Sequence, residues 1–213
     1  MKHLKMRGIA ALAAAALMAF VGASSASATV LCKTPGTGTP TGTTCPSGWA
    51  YAGAQEIHSV NVGNVIMHTT YKTITWTVLT TRYSTSSEGS ESEAVTGPEG
   101  ELILGGGNCT GNVLKAGTQE IQWISGTHNG TVRSSGTEIT TICSTIFGNV
   151  HCTYATNNTD FGTLTGGSPA MLTASANIPV NASESDGLCS EESTVTVTEK
   201  VTTPTPLYVT SHT

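Results

Sequence analysis

Charge and aromatic rings are both scarce in this sequence: 11% of its 213 residues are Asp, Glu, Lys or Arg, and 5% are Phe, Trp or Tyr. Bases are the rarer sign, 9 Lys and Arg against 14 Asp and Glu. Cations this few and this scattered leave no electrostatic footprint for nucleic acid, whose binding rests on neutralising phosphates. Aspartate is confined to Asp160 and Asp186, so the orienting carboxylate of a Ser-His-Asp hydrolase has few sources besides Glu. Past residue 28 there is no Gly-x-Ser-x-Gly elbow, no His-Glu-x-x-His, no Asp-x-Asp-x-Asp-Gly loop and no Cys-x-x-Cys pair. These gaps remove the common signatures of serine hydrolases, zinc peptidases, calcium loops and thiol redox sites. Long apolar runs are missing too, apart from one at the start, so no membrane span is expected after residue 28.

That early run belongs to a leader. Lys2, Lys5 and Arg7 precede an Ala-rich stretch from Ile9 to Gly22, and Ala26-Ser27-Ala28 offers a small-residue cleavage site. Residues 1–28 therefore read as a signal peptide and the product as secreted. Without them six bases face fourteen acids, a net charge of −8. The remaining length of about 185 residues suits one domain with a sizeable core.

What is abundant is threonine, 38 residues, with 24 glycines to punctuate turns. Thr and Val favour strands, and the polar and apolar residues alternate at period two. Ile74, Trp76 and Val78 oppose Thr73, Thr75 and Thr77; Ala170, Leu172, Ala174, Ala176 and Ile178 repeat the pattern, as do Val195, Val197 and Val201. Val62-Gly63-Asn64-Val65 predicts a hairpin over Glu56–Tyr71 that sets Ser59 against His68 and His58 against Thr69. Asn129-Gly130 predicts another over Gln119–Arg133. Together these imply about nine or ten short strands, an all-β fold, an antiparallel β-sandwich or barrel with disulfide-stapled hairpins. The domain is expected at 45–203, preceded by a Gly/Pro/Thr-rich loop over 29–44 and followed by an extended tail over 204–213.

All six cysteines follow the leader, an even number that suits an oxidising compartment. Fifteen pairings are possible. A four-residue turn at Ile146–Asn149 would set Thr145 against Val150 and Cys143 against Cys152, so Cys143–Cys152 is expected, with Cys32–Cys45 closing the early loop and Cys109–Cys189 joining the remainder. Chain entropy values the short loops at about 3 kcal/mol each and the long one at about 4.5 kcal/mol.

Site chemistry is thinly signalled. Trp76 and Trp123 sit among aliphatic strand residues and read as core, whereas Trp49 and Tyr51, just after the early loop, read as an exposed pair suited to ligand binding. Glu88, Glu91 and Glu93 could collect a calcium ion, joined by Glu99 and Glu101 only if the loop folds back, but a solvated acidic loop is the expected reading. His58 and His68 lack a third partner for zinc. No cofactor is expected. The Asn-x-Ser/Thr sequons at Asn108, Asn129, Asn157 and Asn181 are read as unmodified.

Several loose motifs occur together: the Ala-rich leader, Cys45-Pro46, Gly106 to Cys109, Cys143 to Cys152-Thr-Tyr, Gly-Gly-Ser-Pro-Ala at 166–170, Leu188-Cys189 and Pro206-Leu-Tyr-Val209. In this layout the chain resembles the uncharacterised secreted, disulfide-bearing small β-proteins of high-GC Gram-positive bacteria. The resemblance implies export and a stapled β-fold, and carries no activity. The function expected is a non-enzymatic extracellular or cell-envelope module, structural or binding, whose partner is an extracellular protein or glycan. The alternatives are a small secreted hydrolase, marked by a pocket holding His58 or His68 beside a carboxylate and a hydroxyl, and an inhibitor or toxin presenting the Cys32–Cys45 loop.

Overall fold

The computed structural model describes residues 28–38, 44–69, 72–89, 94–97, 101–107, 109–146 and 148–212; all but the last residue of the expected signal peptide, and Glu91, Glu93 and Glu99, lie outside them. Its regular secondary structure is almost entirely strand. In order these are β1 (Thr29–Cys32), β2 (Gln55–Asn61), β3 (Val65–His68), β4 (Thr73–Thr85), β5 (Ala94–Gly97), β6 (Glu101–Gly107), β7 (Thr110–Lys115) and β8 (Thr118–Trp123). They continue with β9 (Gly130–Ser135), β10 (Glu138–Thr145), β11 (Gly148–Ala155), β12 (Thr159–Thr165), β13 (Met171–Pro179), β14 (Glu192–Thr203) and β15 (Tyr208–Ser211), with one short 3-10 turn at Ala182–Glu184.

Ten strands make one antiparallel sheet. β6 pairs with β4, β4 with both β2 and β3, these two with β14, and the order runs on through β13, β12, β9, β8 and β5. A sheet of this width, twisted as strands must be, curls. Here its ends meet: Ser86 N–H, just past β4, donates to Thr96 O in β5 at 3.1 Å, and Thr96 N–H donates to Ser86 Oγ at 3.3 Å. One half of the sheet is thereby barrel-like. Its inward side chains, among them Ile57, Tyr83, Val95, Ile121 and Val201, line an interior cavity of about 70 Å³.

A ribbon of β1 and β15 plugs this half, driving Leu31, Leu207 and Val209 into the core formed by Val95, Ile121 and Val132. Backbone bonds seat it: Leu31 N–H donates to Ser87 O at 2.9 Å and Val209 N–H to His128 O at 3.1 Å. The stretch expected as a departing tail is thus buried strand, and the folded unit reaches from Thr29 to Ser211, wider than 45–203. Gly130 shows why that residue is glycine. A Cβ there would come within 3.1 Å of Val209 and 2.9 Å of Ile121.

The other half of the sheet stays open and is covered by β7, β10 and β11, a separate three-stranded sheet. The layer between holds Met67, Ile74, Trp76, Tyr154, Ile178 and Val195, with the half-buried Cys143 and Cys152 against it. Two β-sheets facing one another across such a layer form a sandwich, so barrel and sandwich coexist in one molecule.

Three local expectations are corrected. Val62–Asn64 is a bulge and not a hairpin turn: β2 and β3 lie end to end along both β4 and β14. Val60 pairs with Thr80 but Val65 with Trp76, so one strand carries an extra residue. Gly63 supplies the φ of +80° that the bulge needs. Asn61 mends the gap, its Nδ2 donating to Thr77 O and its Oδ1 accepting from Leu79 N–H, both at 2.9 Å. His58 consequently faces Arg82, and His68 faces Thr73. The same irregularity flips the alternation in β4: Ile74 and Trp76 point inward, Val78 is 47% exposed, and Leu79 turns in instead. In the Asn129-Gly130 hairpin the strands pair as expected, but the loop is Ile124 to Asn129, with Trp123 opposite Gly130.

The cysteine hairpin has a tighter turn than expected. Thr145 pairs with Gly148, not Val150, so Cys143 faces Val150 and Cys152 faces Thr141. The two cysteines share a face but sit diagonally, at a spacing of about 7–8 Å that exceeds disulfide reach. Each therefore bonds elsewhere. Cys143 joins Cys109, which continues the β7–β10 ladder, at a Cα separation of 4.8 Å; Cys152 joins Cys189 at 5.6 Å. The expected Cys143–Cys152 and Cys109–Cys189 bonds are replaced, while Cys32–Cys45 is present. Loops of 34 and 37 residues are worth about 4 kcal/mol each by chain entropy. Peptide mapping of the unreduced protein is expected to return the 109–143 and 152–189 links. A linked 143–152 peptide would restore the four-residue turn and overturn this register.

Candidate functional site

The residues singled out from the sequence do not converge. Trp49 is 52% exposed, but Tyr51 is an anchor: its hydroxyl donates to Pro206 O, its ring packs on the plugged core, and Lys33 Nζ lies 5.2 Å from the ring centroid. Tyr51 and exposed Glu88 flank one shallow polar cleft with Ser84 to Ser87. Glu91 and Glu93 fall outside the described residues, and Glu101 lies in β6. Among the described residues no three of His, Cys, Asp and Glu gather as a metal site. His58 Nε2 is 3.3 Å from Glu56, which Arg82 also holds at 2.8 Å and which that guanidinium keeps below the usual carboxylate range. His68 Nδ1 meets Thr73 Oγ1 at 3.1 Å. Neither histidine lines the cleft, the barrel cavity or the groove described next. Trp76 is buried, as expected, and Trp123 packs on the plugged core with its Nε1 donating to Thr127 O.

The best-formed concavity lies where the two sheets part. Between β10–β11 and the turn joining β3 to β4 is a groove of about 320 Å³, lined by Ile74, Val150, Tyr154 and Leu188 and by the disulfide residues Cys143, Cys152 and Cys189. That volume falls at the lower end of small-molecule sites. Local sequence explains each wall. The tight hairpin turn thrusts Ile146 out, 93% exposed, at one lip. At another lip stands Leu188, 52% exposed, carried by the segment after β13. This segment is laced to the free edge of β11: Asn181 N–H donates to Thr153 O, Thr153 N–H to Ser185 Oγ, and Asp186 N–H to His151 O, each at 2.8–2.9 Å. The Cys152–Cys189 bond closes the lacing. An exposed strand edge is thus protected, and the protection builds one wall of the groove.

Tyr154 is the unusual wall residue. It is fully buried, yet its hydroxyl has no hydrogen-bond partner, a condition costing about 1–3 kcal/mol. Sequence reasoning missed it because the signal depends on register. Two residues beyond Cys152, Tyr154 shares the inward face of β11 only once the turn is known.

A second polar feature lies at the junction of the two cores. Ser193, Val195, Val197, Glu199 and Val201 all point inward from β14, and Glu199 is 3% exposed. Its Oε2 accepts from Ser59 Oγ and, at 3.0 Å, from Thr81 Oγ1. Burial pushes this carboxyl above its ordinary value of 4.5, the two hydroxyl bonds only partly opposing. Nearby Tyr83 donates to Ala116 O at 3.1 Å, and its own phenol is pushed up by burial and by the Glu199 charge. Glu199 shares the period-two face of Val195, Val197 and Val201, a signal in the sequence that the reading above did not take up.

An acid that titrates higher when folded holds its proton more tightly in the native state. Its contribution is fully present below about pH 4.5 and is lost as pH rises toward the folded value. Each unit of elevation corresponds to about 1.4 kcal/mol. Urea denaturation from pH 4 to pH 9 is expected to show Glu199→Gln gaining on the parent protein as pH rises. Parallel pH profiles for the two proteins would remove the buried acid from the account.

Compared with protein-family models, with curated proteins and with solved structures, the chain gives no match to any of them.

Proposed function

We propose that the chain is a secreted, non-enzymatic binding module that holds a small, mostly apolar molecule in the groove between its two sheets. The observation that carries this reading is the groove itself, an apolar concavity of about 320 Å³ that opens to solvent between the two sheets, with Ile146 and Leu188 exposed at its lips. Three disulfides suit an extracellular setting, and no helix of the described residues is long and apolar enough to cross a membrane. Disulfide wall residues also suit binding, since polarisable sulfur makes favourable contact with aromatic rings. A cavity of about 150 Å³ accepts benzene; one of 320 Å³ matches a two-ring body.

2-Naphthamide, neutral and with a carbonyl acceptor, is a suitable probe. At roughly 0.4–0.5 kcal/mol per heavy atom it is expected to bind with Kd of about 100 µM. Tyr154→Phe should keep the probe's affinity and leave the empty protein as stable or more so, since it removes a buried hydroxyl without a partner. Ile146→Ser combined with Leu188→Ser should weaken it about tenfold. Calorimetry that detects no heat at millimolar probe, or an affinity left unchanged by the combined Ile146→Ser and Leu188→Ser variant, would sink the proposal.

A further inference from the structure

Resting on the groove reading, we infer that its ligand is a small apolar monocarboxylate, selected by Lys72 at the mouth. Among the described residues Lys72 is the one charged side chain on the groove wall, and it is exposed. Its backbone is held to Thr69: Thr69 N–H and Thr69 Oγ1 donate to Lys72 O at 3.0 and 2.8 Å, and Lys72 N–H donates back to Thr69 Oγ1 at 3.0 Å. Three bonds between these two residues thus hold Lys72 beside the groove that it lines. No carboxylate among the described residues lines the groove to neutralise it.

The surroundings make that single cation decisive. The full chain carries a net charge of −5, so an approaching anion is repelled by the protein at large and meets attraction locally at Lys72. One ammonium balances one negative charge, which favours a monoanion over a dianion. The walls behind it are mostly sulfur, Ile74, Val150 and Leu188, with the hydroxyl residues Thr141, Thr145 and Ser190 but no second charged group among them, and they accept an apolar body better than a second charge. The chemistry therefore asks for a carboxylate at the rim and a compact, apolar body of about two rings inside.

The test compares 2-naphthoate with its neutral isostere 2-naphthamide by isothermal titration calorimetry on the disulfide-intact secreted chain. The expected result is a five- to tenfold preference for the naphthoate that shrinks as salt is raised. Lys72→Gln should bring naphthoate affinity down to that of the amide, and Lys72→Arg should hold it. Ile146→Ser should weaken both probes, tying both to the groove. Binding of both probes with equal affinity, or a preference that survives Lys72→Gln, would overturn the inference and leave the groove reading standing. Failure of both probes to bind would overturn the groove reading and this inference together.

Discussion

The closure of the long sheet at one end only is the constraint from which the other features follow. Ser86 and Thr96 join the ends where β5 lies, and there the inward face is sealed by the β1–β15 ribbon. At the opposite end the same face, with Met67, Ile74 and Ile178, has no strands left to roll onto it. A separate sheet must cover it, and that sheet is small, three strands held by short-range pairing. Two disulfides supply what its limited area does not: one ties β7 to β10, the other ties β11 to the segment beyond β13. The groove is the gap left where a narrow cover meets a wider floor.

The polar interior is consistent with this division. In the closed half, polar groups find one another: Gln119 Nε2 donates to Ser134 Oγ at 2.8 Å and to Tyr83 and Thr137 oxygens at 3.3 Å, and Ser134 in turn meets Thr156 at 3.1 Å. A network satisfied in this way holds strands β4, β8 and β9 in a unique register, because each slip would leave several hydroxyls without partners. Glu199, with Ser59 and Thr81, marks the boundary. Its carboxyl accepts from hydroxyls alone, which is tolerable for a protonated acid and costly for a carboxylate.

The parts of the fold legible in the sequence were those governed by period two over an unbroken strand. Ala174, Ala176 and Ile178 alternate inward in β13 as their spacing indicates, and Val195, Val197 and Val201 do so in β14. What defeated the reading was a change of one residue in register. Gly63-Asn64 has turn chemistry, yet the strand continues through it, because Asn61 can bond both Thr77 and Leu79 and β14 pairs with the segments on either side. That single bulge sends Val78 outward and Leu79 inward. Likewise a turn two residues shorter than expected displaces Cys152 from Cys143, and with it the disulfide pairing. The groove was invisible for a further reason: Lys72, Tyr154 and Leu188 lie on three separate segments whose approach depends on both of these registers.

Unpaired polarity is not spread evenly through the molecule. Among the described residues the buried polar side-chain atoms without a partner are Trp76 Nε1, Tyr154 Oη and Ser193 Oγ. Trp76 and Tyr154 belong to the layer under the three-stranded sheet, and Ser193 shares the inward face of β14 with Val195, which is part of that layer. The half of the protein that is covered by a small sheet is thus also the half that tolerates unmet hydrogen bonds, each costing about 1–3 kcal/mol. Phe in place of Tyr154 would fill the same space without the penalty. The disulfides let the fold carry that cost, because they constrain the unfolded chain independently of how well this layer is packed.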